Sequence, residues 1–393
     1  MEKKRNVYLD YSATTPVKEE VLQEMLPYFT EKFGNPSSLY TVGQESKNAI
    51  AQARERLAAL IGAESREIFF TSSGTEADNW AVIETAMAKR ANGAKHVITS
   101  KIEHHALLHS AEYLGKEGFD VTYLSVDGDG FIDLDELESS IRHDTALISI
   151  MYANNEIGTI EPVAKIAEIA KKRNVVFHTD AVQALGNVHI DVKELGVDLL
   201  SISAHKIYGP KGIGALYIRR GVALPPHMHG GAQENNKRAG TENLTGIVGF
   251  GKAAELAREN LVTHIERVTE LRNYFLDHVK ERISDIRING SLESRLPGNI
   301  NITFKYIEGE ALLLLLDMEG IAVSTGSACS SASLTPSHVL EAIGVPVEQI
   351  HGSIRFTIGD FTTREDIDYT LDALEKAVAK LRSISSMSKE SGW

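Results

Sequence analysis

The stretch VVFHTDAVQALGNVHIDVKELGVDLLSISAHKIYGPKGIGALYI, residues 175–218, decides the fold. It holds three short apolar runs, 175–178, 199–203 and 215–218, each bounded by polar or glycine-rich segments. Such runs read as buried strands. Asp180 falls just past the first run and Lys206 just past the second, 206 − 180 = 26 residues apart, which is room for one crossover connection. Upstream the same grammar repeats. Strand-like runs at 68–71, 97–100, 121–124 and 146–151 alternate with amphipathic stretches at 44–61, 75–91, 105–117, 133–142 and 163–173. Strands alternating with helices predict an α/β fold, a mainly parallel sheet covered on both faces.

Further out, Thr15-Pro16 followed by Glu19 and Glu20 reads as a helix start, with proline at the first helical position and acids at the positive end of the dipole. Residues 251–283 carry Leu261, Ile265, Val268, Phe275 and Val279 at helical spacing. This long helix is expected to bridge to a smaller α+β domain with strands at 302–304, 322–324 and 354–357. The expected division is a large domain of residues 16–260 and a small one built from 1–15 and 261–393. The polar stretch from Ser383 reads as a tail.

The chain has 393 residues and a formal net charge of −13, which argues against broad electrostatic binding to nucleic acid or anionic membrane. The longest apolar run, 311–316, is far short of the about 20 residues a bilayer span needs. One cysteine, Cys329, excludes an internal disulfide framework. With no apolar signal core at the N-terminus, a cytoplasmic setting is expected.

Ligands of open α/β sheets bind beyond the C-terminal strand ends. Asp180 and Lys206 are placed there. A carboxylate facing a cationic heterocycle and a lysine able to form a Schiff base are the two groups that pyridoxal phosphate requires. Taken singly, each has a blander reading as a capping aspartate and a solvated lysine. Thr71-Ser72-Ser73-Gly74-Thr75-Glu76 joins a strand to a helix with small, hydroxyl-bearing residues, which suits a phosphate and equally suits an ordinary cap. Cys329 sits in STGSACSSAS, 324–333, which offers little to bury a structural cysteine. No metal site is expected, and metal binding by this cysteine is disfavoured because there is no second cysteine. His104 follows the strand at 97–100 and could stack on a cofactor ring, or cap the next helix. Arg355 could clamp a substrate carboxylate, or pair at the surface.

Together these segments resemble the cysteine desulfurases of the NifS/IscS type, in the class V aminotransferase group with the type I pyridoxal-phosphate fold. The resemblance rests on FGNPSS at 33–38, SSGTEADN at 72–79, TSKIEHHA at 99–106, NNEIG at 154–158, HTDAVQ at 178–183, SAHKIYGPKGIGALY at 203–217, RAGTEN at 238–243 and STGSACSSAS at 324–333. It implies Lys206 as the Schiff-base lysine, Asp180 as partner of the pyridinium, Gln183 near the phenolic oxygen and His104 over the ring. Gly74, Thr75, Ser203 and His205 fall on the phosphate, with Thr241 supplied by the second subunit of a homodimer. Asn155 and Arg355 would hold the carboxylate of L-cysteine, and Cys329 would accept its sulfur and pass it to an iron–sulfur scaffold or another acceptor. Selenocysteine cleavage and transamination are the neighbouring chemistries. Tyr40 stands near the place where many relatives have a histidine.

Overall fold

The computed structural model describes residues 4–325 and 336–385. The strands are β1 (Val7–Tyr8), β2 (Ile68–Thr71), β3 (His96–Ser100), β4 (Asp120–Leu124), β5 (Thr145–Ser149), β6 (Val176–Asp180), β7 (Leu199–Ser203), β8 (Gly214–Ile218), β9 (Ile286–Ile288), β10 (Asn299–Phe304), β11 (Ile321–Ala322) and β12 (Ser353–Thr357). Seven of them form one sheet in the order β2-β8-β7-β6-β5-β3-β4. Its pairs from β4 to β7 are parallel, and β8 runs antiparallel to both β7 and β2. The α/β expectation of a mainly parallel sheet is met. Strands β3, β7 and β8 are buried along their whole length, as helices on both faces require.

The chain leaves β3 for β4 on one side and then returns to β5 on the other. That reversal opens a crevice beyond the C-terminal ends of β3 and β5, where such sheets take ligands. His104 follows β3 and Asn155 follows β5. Asp180 ends β6, and Lys206 lies in the 3₁₀ turn Ala204–Lys206 after β7.

One apolar core gathers Val21, Leu57, Ile98, Ile148, Leu200 and Phe250 around this sheet. A second gathers Val7, Leu9, Phe275, Ile302, Leu312, Phe356 and Leu371 around the antiparallel trio β12-β10-β9. The helix Leu244–Arg282 contributes to both, with Phe250 in the first and Phe275 in the second.

Some boundaries differ from the sequence expectation. The first helix begins at Glu19, after Lys18, so Pro16 lies outside it. Thr15 is instead tied to the Lys206 turn: its hydroxyl donates to the His205 carbonyl (3.0 Å) and accepts from the Tyr208 amide (2.9 Å). Tertiary bonds here outweigh a local helix-start signal. The long helix starts seven residues before 251, at Leu244, because the Asn243 side chain caps the Gly246 amide at 3.1 Å. The last helix runs Arg364–Ile384, past the expected tail start at Ser383. Among the described residues no helix is long and apolar enough to cross a membrane.

Candidate active site

A cavity of about 330 Å³ opens at the crevice. Its wall brings together Gly74, Thr75, His104, Asn155, Asp180, Gln183, Ser203, His205, Lys206 and Arg355, ten of the residues singled out from sequence. Thr241 is exposed and does not line the cavity. Cys329 lies outside the described residues.

The lysine is positioned by the N-terminal segment. Lys206 Nζ donates to the main-chain carbonyls of Ser12 and Ala13, the latter at 2.8 Å. Gln183 Nε2 donates to the same Ser12 carbonyl at 3.0 Å. Asp180 is buried at the end of β6, and its Oδ1 accepts from the Val182 amide at 2.9 Å. Burial raises its proton affinity, while that amide and the nearby Lys206 charge work the other way. Asp78, fully buried beside it, is driven well above the usual carboxylate range by desolvation and by the Asp180 charge. Of the two acids, Asp78 therefore holds the proton and Asp180 is free to carry the negative charge.

The opposite end is built for an anion. The Ser73 side chain accepts from the Glu76 amide at 3.1 Å and caps the helix Gly74–Asn79. The first amides of a helix have no carbonyl partner within it. A Cβ on Gly74 would lie 2.7 Å from Val182 Cγ2, and one on Gly214 would lie 2.5 Å from the Ser73 carbonyl carbon. Only glycine lets the β2 turn approach β8 and the Asp180 loop this closely. His205 Nδ1 is 3.1 Å from Thr14 Oγ1, and burial lowers its pKa to about 4, so the ring is neutral.

His104 caps the helix His105–Lys116: its Nδ1 accepts from the Ala106 amide at 3.1 Å. The neutral ring therefore carries its proton on Nε2. Burial, with the Lys206 charge second, lowers its pKa to about 4. Cap and cavity residue are thus one and the same. Arg355 in β12 is 2% exposed, donates to Asp10 Oδ1 (2.8 Å) and to the Asn155 carbonyl (3.0 Å), and keeps a buried Nε–H with no partner among the described residues. The Arg355–Asp10 pair is internal, so the surface-pair reading does not apply. A buried guanidinium with a spare donor suits an incoming carboxylate.

Several site groups escaped the sequence reading. The Ser12 and Ala13 carbonyls are main-chain groups, invisible to residue type. Asp78 and Glu103 lie inside quoted motifs, and the usable signal was a carboxylate flanked by small or apolar residues bound for the interior. Glu103 Oε1 accepts from Ser100 Oγ (2.6 Å) and the Met151 amide (3.0 Å), while its buried Oε2 has no partner among the described residues. Desolvation raises its pKa from 4.5 to about 8, so it is a neutral acid at pH 7. The unfolded chain ionises across that window and the folded one does not, so wild-type stability falls relative to Glu103→Gln as pH rises from 4.5 to about 8. Thermal melts of the two proteins at pH 5 and pH 8 check this: the advantage of the glutamine variant is expected to grow with pH, and a constant difference would contradict a neutral Glu103.

A cavity with an anion-binding helix start, a buried carboxylate and a lysine at adjacent strand ends fits pyridoxal phosphate in size and chemistry. Fold and site together define a pyridoxal-phosphate enzyme of the type I fold. The family description Aminotransferase class-V matches residues 7–370. A cysteine desulfurase IscS of Dictyoglomus turgidum is 59% identical over 387 residues, 98% of each chain. One from Methanosarcina thermophila is 56% identical over 381 residues, 97% of this chain and 94% of that one. A solved NifS-like protein superposes with a TM-score of 0.90 at 40% identity, covering 96% of this chain and all of the other. The chain belongs to the class-V aminotransferase family and, within it, to the cysteine desulfurases.

Proposed function

We propose that this protein removes sulfur from L-cysteine, leaving L-alanine and a persulfide on Cys329 that serves iron–sulfur cluster assembly and other sulfur acceptors. The observation that carries the reading is the convergence on one cavity of Lys206, Asp180 and His104, at or just beyond the C-terminal ends of β7, β6 and β3, with Arg355 from the middle of β12. Bound pyridoxal phosphate supplies an electron sink that weakens the bonds at the α and β carbons of the amino acid. The chain supplies the rest. Arg355 and Asn155 hold the substrate carboxylate. Asp180 provides a fixed negative charge in a buried place, where it acts strongly. Ser203, His205, Thr75 and the amide of Gly74 would hold the phosphate, and Gln183 would serve the ring's oxygen. Lys206 Nζ takes the α proton and is re-seated on the Ser12 and Ala13 carbonyls afterwards. His104, neutral and protonated on Nε2, passes a proton to or from the substrate side. Sulfur moves from the substrate β carbon to Cys329, and the thiol proton lost there equals the one gained by the alanine methyl.

A second copy of the chain completes the site in this reading. Thr241 points to it: exposed and away from its own cavity, it suits a phosphate held by the neighbouring subunit. The segment 26–42 presents Leu26, Phe29, Phe33, Leu39 and Tyr40 to solvent, with Leu39 93% exposed. Such a run is a candidate protein interface. The large domain would be 16–260, the small one 1–15 with 261–393, and the setting cytoplasmic.

Reaction class is tested by recording visible absorbance of the purified, cofactor-loaded protein as L-cysteine and a reductant are added, with alanine and sulfide measured in the same tube. Equal amounts of both support the reading. A coloured protein yielding neither would refute cysteine as substrate. Arg355→Lys keeps a charge but loses the fork of donors. Its KM for L-cysteine is expected to rise ~10- to 100-fold, the weight of a charged hydrogen bond of about 1.5–3 kcal/mol, with a smaller change in kcat. Steady-state kinetics decide, and an unchanged KM would remove Arg355 from the carboxylate.

A further inference from the structure

A second cavity, of about 60 Å³, shares Ser12, Gln183 and Lys206 with the first. Its other walls hold three charged side chains with no task in the scheme above, Lys18, His264 and Asp360. Asp360 is their centre, 360 − 357 = 3 residues past the end of β12. Its Oδ1 lies 2.5 Å from His264 Nδ1 on the long helix, and its Oδ2 lies 2.5 Å from Lys18 Nζ. Burial opposes its ionisation, but the His264 and Lys18 bonds overcome this and hold its pKa at about 2. The loop carrying Asp360 is fixed to the same helix, because Arg267 donates to the carbonyls of Gly359, Asp360 and Thr362.

Two routes lead from Asp360 to Lys206. The first passes through buried Tyr208, two residues after the lysine, whose φ is +64°. Residues other than glycine rarely adopt that conformation, so the surroundings must hold it. Four contacts do so. The Tyr208 amide donates to Thr15 Oγ1 at 2.9 Å, and its carbonyl accepts from the Lys18 amide at 3.1 Å. Its hydroxyl accepts from the Asp360 amide at 2.7 Å, and Lys18 Nζ lies 4.7 Å from its ring centroid. The second route passes through Asn187. His264 Nε2 is 3.2 Å from Asn187 Oδ1, and Asn187 Nδ2 donates to the Gln183 carbonyl at 3.0 Å. Gln183 Nε2 in turn donates to the Ser12 carbonyl, the acceptor that Lys206 Nζ also uses. Carboxylate and amide oxygens only accept, so His264 donates from both ring nitrogens and ties the two routes together.

We propose that Asp360 is a positioning residue for Lys206. With His264 and Lys18 it clasps the loop after β12 and the long helix to the turn that carries the lysine, and so fixes where Nζ lies. Asp360 does not line the main cavity, so it acts through that turn and not on the reacting atoms. This inference rests on Lys206 being the point of cofactor attachment.

The test follows attachment itself. Pyridoxal phosphate is stripped from the full chain and added back, and the bond formed with time is trapped by borohydride and located by peptide mass. Asp360→Asn keeps the main-chain donor to Tyr208 and nearly the same shape, but removes the charge that His264 and Lys18 share. It is expected to attach the cofactor at Lys206 ~10-fold more slowly, the scale of a small misplacement transmitted from outside the site. In the loaded enzyme kcat should fall by a similar factor while KM for L-cysteine stays within about twofold, since Arg355 and Asn155 are untouched. Asp360→Glu, which restores the charge, should recover part of both rates. Tyr208→Phe keeps the ring against Tyr11 and Phe361 and drops only the hydroxyl, so it should slow attachment in the same direction and by less. A wild-type attachment rate in Asp360→Asn, whatever its melting temperature, would overturn the proposal and leave the cluster a brace for folding. A loss confined to KM would overturn it too. If Asp360→Asn does not fold, Tyr208→Phe decides by the same rate, and no slowing there refutes the clasp. A wild-type label on a lysine other than Lys206 would remove the parent reading, whereas a label on Lys206 beside an unaffected Asp360→Asn removes only the clasp.

Discussion

Replacing Lys206 with alanine is expected to lower alanine and sulfide formation from L-cysteine by on the order of 10³-fold or more, since it removes both covalent attachment and the proton-transferring amine. The fold should survive. Lys206 sits in a short turn after β7, and its Nζ bonds to the Ser12 and Ala13 carbonyls face the cavity wall, where water can replace the ammonium. The cofactor should still bind, because Asp180 and the Ser73–Thr75 turn are untouched, but with altered absorbance and without a permanent bond after borohydride reduction. In the wild type, reduction and peptide mapping should place the cofactor on Lys206. A label on any other lysine would refute the assignment, as would an alanine variant with wild-type turnover.

Much of this arrangement was legible because position and chemistry coincide in the sequence. Asp180 and Lys206 each follow an apolar run, and a strand's C-terminal end is where open α/β sheets bind ligands. Strands 68–71 and 199–203 were recovered to the residue, since buried strands show as unbroken apolar runs. What stayed hidden depends on distant contacts. No local pattern reveals that Thr15 is bonded to the Lys206 turn 190 residues away, so Thr15-Pro16 read as a helix start. The strand β9, Ile286–Ile288, is three half-buried residues held by pairing with β10, too short for a period to register. The charge states were hidden for a different reason: Glu103 reads as an ordinary acid, and only burial beside Ser100 and Met151 makes it neutral. Arg355 read equally as a surface pair until β12 placed it inside against Asp10.

Cys329→Ser should abolish persulfide formation altogether, the largest effect of any single change here. Serine matches the thiol in size and in its small, polar loop, so folding and cofactor binding are expected to be unaffected. What it lacks is chemical. A hydroxyl with its much higher pKa gives almost no nucleophile at pH 7, and an oxygen cannot store sulfur as a persulfide that a second protein can collect. No other residue can substitute, because the chain has a single cysteine. Described residues on either side of Cys329 in the sequence are anchored. Ser324 is bonded to β12 at Arg355, its amide 3.2 Å from the Arg355 carbonyl, and Ser337 is fixed to Glu156. Cys329 is five residues from the first anchor. Mass measurement after L-cysteine should show one added sulfur on the wild type and none on the variant. Sulfur found on the serine variant, or alanine produced by it at the wild-type rate without added thiol, would mean that the substrate's sulfur leaves by another route.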